Sequence, residues 1–117
     1  MTNKQTPAAG RPAPPKAWQR LKDRYPDVAA SYEALSDAVR AGGPLDAQTT
    51  ALVKVAVSVG RGSWRTVHAH AKKALEQQVA PEMLRQVALL ALPTIGLPAA
   101  LDALRWIDES IDEAGAT

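Results

Sequence analysis

Each long apolar pattern in this chain repeats at helical spacing, and glycine or proline cuts the patterns into short pieces. Ala17 to Arg24 reads as a short helix, and Pro26 then sits at a first-turn position and opens a second one reaching Arg40. Val28, Tyr32, Leu35 and Val39 share one face of it. Gly42, Gly43 and Pro44 interrupt the chain, and Asp46 is placed to cap a third helix from about Ala47 to Val59. Gly60, Arg61 and Gly62 are expected to end that helix, and Ser63 to cap a fourth running to about Gln77. Pro81 opens a fifth, and Gly96 and Pro98 punctuate once more before a sixth, Leu97 to about Asp112. No segment alternates with period two between hairpin turns, and neither an internal repeat nor a sustained heptad series is present. The expectation is an all-α, compact bundle of five to six helices: a Pro/Ala-rich, disordered and dispensable tail over 1–15, then a single domain over 16–117.

Composition explains how such helices would pack. Only 4% of the residues are aromatic and Phe is absent, so Ala, Leu and Val supply the apolar surface and favour close helix contacts. In the third helix Leu52, Val55, Ala56 and Val59 make one stripe while Val53 and Val57 add a second. The fifth is apolar nearly all round, through Met83, Leu84, Val87, Ala88, Leu90 and Ala91, and in the sixth Leu97, Leu101, Leu104 and Ile111 lie on one side. Two such helices exceed what one small core can cover, which points to burial between subunits of a homo-oligomer.

The formal charge of +2 does not indicate a nucleic-acid face. Lys4, Arg11 and Lys16 lie in the first 16 residues without any acid, and removing them from the 14 basic residues leaves 11 against 12 acidic ones. The N-terminal stretch has no apolar core of a secretory signal, and the downstream apolar runs fall short of the roughly 18 to 20 residues of a membrane span. A cytoplasmic protein without nucleic-acid or membrane partners is the expectation. Cysteine is absent, which rules out disulfides, thiolate nucleophiles, Cys-ligated zinc and iron–sulfur clusters.

The chemistry-bearing residues gather in the fourth helix. His68 and His70 are two positions apart, about 200° around a helix axis, so they cannot chelate one metal together, and no metal or cofactor is expected. Ser63, Thr66 and His70, spaced i, i+3, i+7, fall on one stripe near the helix start. That stripe can line a small polar pocket for an anionic ligand such as a carboxylate, with Arg61 or Arg65 available to pair with it. It can equally be structural, with Ser63 capping, Thr66 packing and His70 satisfying a buried hydrogen bond. His70 is expected to face inward and His68 to face solvent or a subunit boundary. Ser63 as a nucleophile has no local support, because no nucleophile elbow surrounds it, and Gly60 and Gly62 lack the strand-to-helix setting of a dinucleotide loop. Trp64 and Trp106 read as core or interface filling rather than ligand lining.

From Gly43 to Leu104 the order of signals resembles the AhpD-like / carboxymuconolactone decarboxylase family. Pro44-Leu45-Asp46 opens the apolar helix LVKVAVSVG, His70 and Ala74 follow four apart, VAPEML resembles the family's second helix start, and Gly96-Leu97-Pro98-Ala99-Ala100 resembles its Gly-x-Pro-x-Ala segment. Peroxidase members carry Cys-x-x-Cys-x-x-x-His; on this register the cysteines fall at Ser63 and Thr66, and the histidine is kept as His70. The acidic residue of the preceding helix falls at Ala51, and the tyrosine often near the Gly-x-Pro segment is missing. The resemblance implies a helical subunit assembling as trimers or hexamers, without thiol peroxidase activity. It leaves two functions open. One is decarboxylase-type acid–base chemistry on a small carboxylated or carbonyl compound, with His70 moving the proton and Arg61 or Arg65 holding the carboxylate. The other is a non-catalytic homo-oligomer that binds a small ligand or a protein partner.

Overall fold

The computed structural model describes residues 16–116, so the tail expected over 1–15 lies outside the described residues. Six α-helices make up the fold: α1 (Lys16–Arg24), α2 (Pro26–Arg40), α3 (Ala47–Arg61), α4 (Trp64–Glu76), α5 (Pro81–Ile95) and α6 (Leu97–Glu113). Among the described residues there is no strand. The chain divides into two compact units, one ending at Pro44 and the other running from Leu45.

The first unit holds α1 and α2. Tyr25 N–H donates to the Leu21 carbonyl and Ala29 N–H to that of Tyr25, so the backbone passes from one helix to the next with its orphan donors satisfied. Trp18 and Tyr32 meet as tilted rings 5.6 Å apart. The α2 stripe of Val28, Tyr32, Leu35 and Val39 is between 55 and 61% exposed, and only Ala29 of that helix is buried.

The second unit holds α3 to α6 around one core in which Val55, Val59, Val67, Ala71, Ala74, Leu84, Ala88, Ala103, Ile107 and Ile111 are buried together. Asp46 caps α3 by accepting from Thr49 N–H, a bond that holds its carboxyl below the usual range. α3 runs through Gly60 to Arg61, two residues further than expected, because Gly62 alone takes the left-handed conformation that ends it, at φ 77°. α4 starts on Ser63, whose hydroxyl accepts from Thr66 N–H. It stops where Gln78, at φ 69°, enters the left-handed region and Val79 N–H reaches back to the Ala74 carbonyl. The Gln48 side-chain amide donates to the carbonyls of Gln77 and Gln78 at 3.1 and 3.2 Å, tying the start of α3 to the end of α4. Such a tie requires the two helices to run antiparallel, joined through Gly62 and Ser63.

α6 buries only part of the apolar side read from the sequence: Ile111 is buried and Leu104 packs against the core. Its buried positions are Ala100, Ala103, Ile107, Ser110 and Ile111, whereas Leu97 and Leu101 are exposed. The buried face is rotated about a quarter turn from the leucine stripe, at roughly 100° per residue. Small side chains at Ala100 and Ala103 let α6 approach its neighbours closely, and the buried Ser110 donates its hydroxyl back to the Trp106 carbonyl. Ala56 likewise lies outside the buried side of α3. The apolar surface left exposed in this unit includes Val53 and Val57 of α3, Met83, Leu89, Leu90 and Leu92 of α5, and Leu97 and Leu101 of α6.

Candidate functional site

α4 is packed on both α3 and α6, and its buried residues Val67, Ala71 and Ala74 fill the space between. Its two histidines leave that line in different directions and meet different chemistry.

His68 turns toward α6. Its Nε2–H donates to Glu109 Oε1 at 3.0 Å and its Nδ1 lies 3.8 Å from Glu113 Oε1. Glu113 also receives Lys72 Nζ at 2.7 Å, and this bond holds its carboxyl below the usual carboxylate range. Arg105 stands 3.5 Å from the second Glu109 oxygen, and the Trp64 ring meets the imidazole edge-on at 5.6 Å. The His68 side chain is 15% exposed. Of the two settings expected for it, open solvent is ruled out: two carboxylates one turn apart on α6 offer a ring nitrogen better partners than water does.

His70 lies on the stripe of Ser63 and Thr66 and is half-buried. The two hydroxyls of that stripe are 2.8 Å apart and share a hydrogen bond, and Thr66 N–H donates to Ser63 Oγ at 3.3 Å. Burial, with Lys73 and then Lys54 adding like charge, holds His70 below the ordinary imidazole value, so the neutral ring dominates at pH 7. The imidazole has no carboxylate partner among the described residues. Of the two arginines read from the sequence, Arg61 is the exposed last residue of α3, and Arg65 lays its guanidinium over the Trp64 ring at 5.0 Å. Neither is among the charges that bear on His70.

The sequence reading missed four participants. Lys73 was within reach of it, being one turn beyond His70, and Lys54 could have been found by counting across the α3–α4 turn. Glu109 and Glu113 carry no local signal, because only the packing of α6 on α4 brings them to His68. No group of three or more His, Asp or Glu among the described residues is arranged to hold a metal ion.

The family model of the carboxymuconolactone decarboxylases matches residues 26–109, from the first residue of α2 into α6. The chain belongs to the carboxymuconolactone decarboxylase family. It is a divergent, cysteine-free member, with hydroxyls at Ser63 and Thr66 and no thiol anywhere. No curated protein and no solved structure compared with it matches.

Proposed function

We propose that the Ser63–Thr66–His70 stripe is an acid–base site acting on a small carboxylated or carbonyl compound, with no thiol peroxidase activity. The observation that carries this reading is His70 itself: half-buried, held as the neutral imidazole and without a carboxylate partner among the described residues, on the helix stripe that also carries the hydroxyl pair of Ser63 and Thr66. In a decarboxylation the bond to the carboxylate carbon breaks, its electron pair passes into a conjugated carbonyl, and the carbon left behind takes a proton. In an isomerisation the carbon next to the carbonyl first loses one. A neutral imidazole can take up a proton and pass it on in either case. In this reading one hydroxyl of the Ser63–Thr66 pair donates to a carbonyl oxygen, and the arginines read from the sequence, Arg61 or Arg65, supply the cation for the carboxylate.

The test follows carbon-bound protons. Small carboxylated lactones are incubated with the protein in deuterated water, and loss of carbon dioxide or uptake of deuterium next to the carbonyl is followed by NMR. The expected result is turnover that His70→Gln removes and His68→Gln retains. Turnover that survives His70→Gln, or none with any of these compounds, overturns the reading.

A second reading is a non-catalytic homo-oligomer that binds a small ligand or a protein partner, and the cytoplasm is its expected setting, as it is for the first. It is favoured by Ala51, which removes the acid that the family places in the preceding helix, and by the exposed apolar side chains of α3, α5 and α6. A trimer or hexamer in light scattering together with no turnover is its signature; a monomer at micromolar concentration opposes it.

A further inference from the structure

We infer that the exposed apolar stripe of α2 is a self-association surface, on which α2 of a second copy of this chain packs antiparallel about a two-fold axis. The inference deepens the homo-oligomer of the second reading by naming one of its seams, and it is independent of the acid–base site.

The spacing of the stripe carries it. Val28, Tyr32, Leu35 and Val39 follow one another in steps of four, three and four, which keeps them on one line along the helix. All four are more than half exposed in the single chain. Their step order reads the same in both directions. An antiparallel second copy therefore sets its Val39 level with Val28 and its Leu35 level with Tyr32, so that each apolar side chain meets another. Antiparallel packing also brings opposite ends of the two helix dipoles together, and it places a leucine rather than a second ring against Tyr32. The Tyr32 ring is held in advance, since it already lies against Trp18 at 5.6 Å, which lowers the entropy lost on association.

The flanks of the stripe suit a second copy. Ala29 and Ser36 on one side, and Ser31 and Ala38 on the other, stand roughly 70 to 90° from its centre and are small enough for two helices to approach closely. Every charge of α2 lies further round. Asp27, Glu33 and Asp37 are on the far side, and Arg40, the one cation of the helix, is taken up by Ser36 and Asp37. Like charges that would oppose self-pairing are thus kept off the seam, and no charge on it selects a partner of the opposite sign. The stripes of two copies offer on the order of 1,000 Å² between them, the lower limit for a specific interface, so the seam forms in a concentration-dependent way. A two-fold seam makes a dimer by itself and joins two trimers into a hexamer where another interface makes the trimers.

The full chain is followed by light scattering across micromolar concentrations. Leu35→Glu should halve the assembled mass, from dimer to monomer or from hexamer to trimer. It should also raise the dissociation constant by about tenfold or more, because a carboxylate in the seam must give up its water. Leu35 is exposed in the single chain, so the helical circular dichroism should be unchanged. Orientation is read by disulfide trapping, for which the cysteine-free chain gives no background. Val28→Cys and Val39→Cys should stay uncrosslinked when oxidised separately and give a crosslinked dimer when mixed. Leu90→Glu, which places a charge on the exposed apolar surface of α5 instead, should retain that crosslink. Crosslinks within either single variant but not across the mixture mean a parallel pair and overturn the inference. So does an assembled mass that Leu35→Glu leaves unchanged, or a monomer whose melting temperature that variant lowers, since the stripe is then covered within its own chain. A trimer indifferent to Leu35→Glu sinks the seam and leaves the homo-oligomer reading standing, whereas a crosslinked dimer that never forms a trimer or hexamer does the reverse.

Discussion

The two faces of α4 carry a histidine each, and the comparison between them sets an imidazole bound by carboxylates against one without a carboxylate partner among the described residues. Toward α6, His68 meets Glu109 and Glu113, and Lys72 and Arg105 balance those carboxylates in turn. Each charge there has an opposite within a few ångströms, and such a network fixes side chains and joins helices. On its own side His70 has Lys73 and Lys54 as the charges that act on it, and no acid among the described residues does so. A ring engaged by carboxylates has little left to offer a substrate, and under the proposed function the neutral ring on the other face is the one that acts. The same residue type, two positions apart, is thereby given two environments by the helices that pack against it.

The largest effect that can break this comparison is on turnover. If the α3 side is the reactive one, His70→Gln should lower turnover of a responsive carboxylated lactone by about 100-fold or more, the usual scale of general acid–base catalysis, and leave the melting temperature nearly unchanged. His68→Gln should reverse that pattern. Comparable losses of turnover in both variants would erase the distinction between the faces.

Stability is the next measure. Glu109→Ala leaves the mostly buried His68 without its best partner, and we expect a loss of about 1 to 3 kcal/mol in urea unfolding. A loss below a few tenths would mean that the α4–α6 network contributes specificity rather than stability.

Acid titration of stability sharpens the contrast, because both faces lose stability in acid but in different windows. His70 has its folded value lowered, so the unfolded chain binds more protons; its contribution is full above about 6.5 and is lost as pH falls through that value toward the folded one. Glu113 is also lowered, and its contribution is present above the unfolded value, near 4.5, and lost below it. His70→Gln should flatten the upper window alone, and Glu113→Gln the lower window alone, in melting curves taken between pH 7 and pH 3. A single window affected by both variants would show the two faces to be coupled.

The smallest expected effect is on the Lys72–Glu113 pair. Both side chains reach solvent, so a double-mutant cycle should give a coupling of about 0.2 to 1 kcal/mol that shrinks with added salt. A salt-independent coupling would place the pair in a drier setting than its exposure indicates.

Much of this protein was legible before folding. The helix starts at Pro26, Ser63 and Pro81 and the cap at Asp46 are local facts, because each depends on a side chain or ring acting within one turn of itself. The absence of thiol chemistry is likewise a property of composition. The family resemblance was readable in the order of such local signals along the chain, and the family match runs over 26–109. What the sequence could not decide was which face of a helix meets which neighbour. In α6 the leucines mark an apolar side, yet Ala100, Ala103 and Ile107 are the buried ones, since close approach of the helices outweighs the larger side chains' preference for burial. The inward or outward orientation of His68 turned on Glu109, 41 residues away, and no period in the chain carries that pairing. Local structure follows from interactions that span a few residues; the partners of His68 and His70 follow from interhelical packing, where the free energy depends on all surfaces that meet at once.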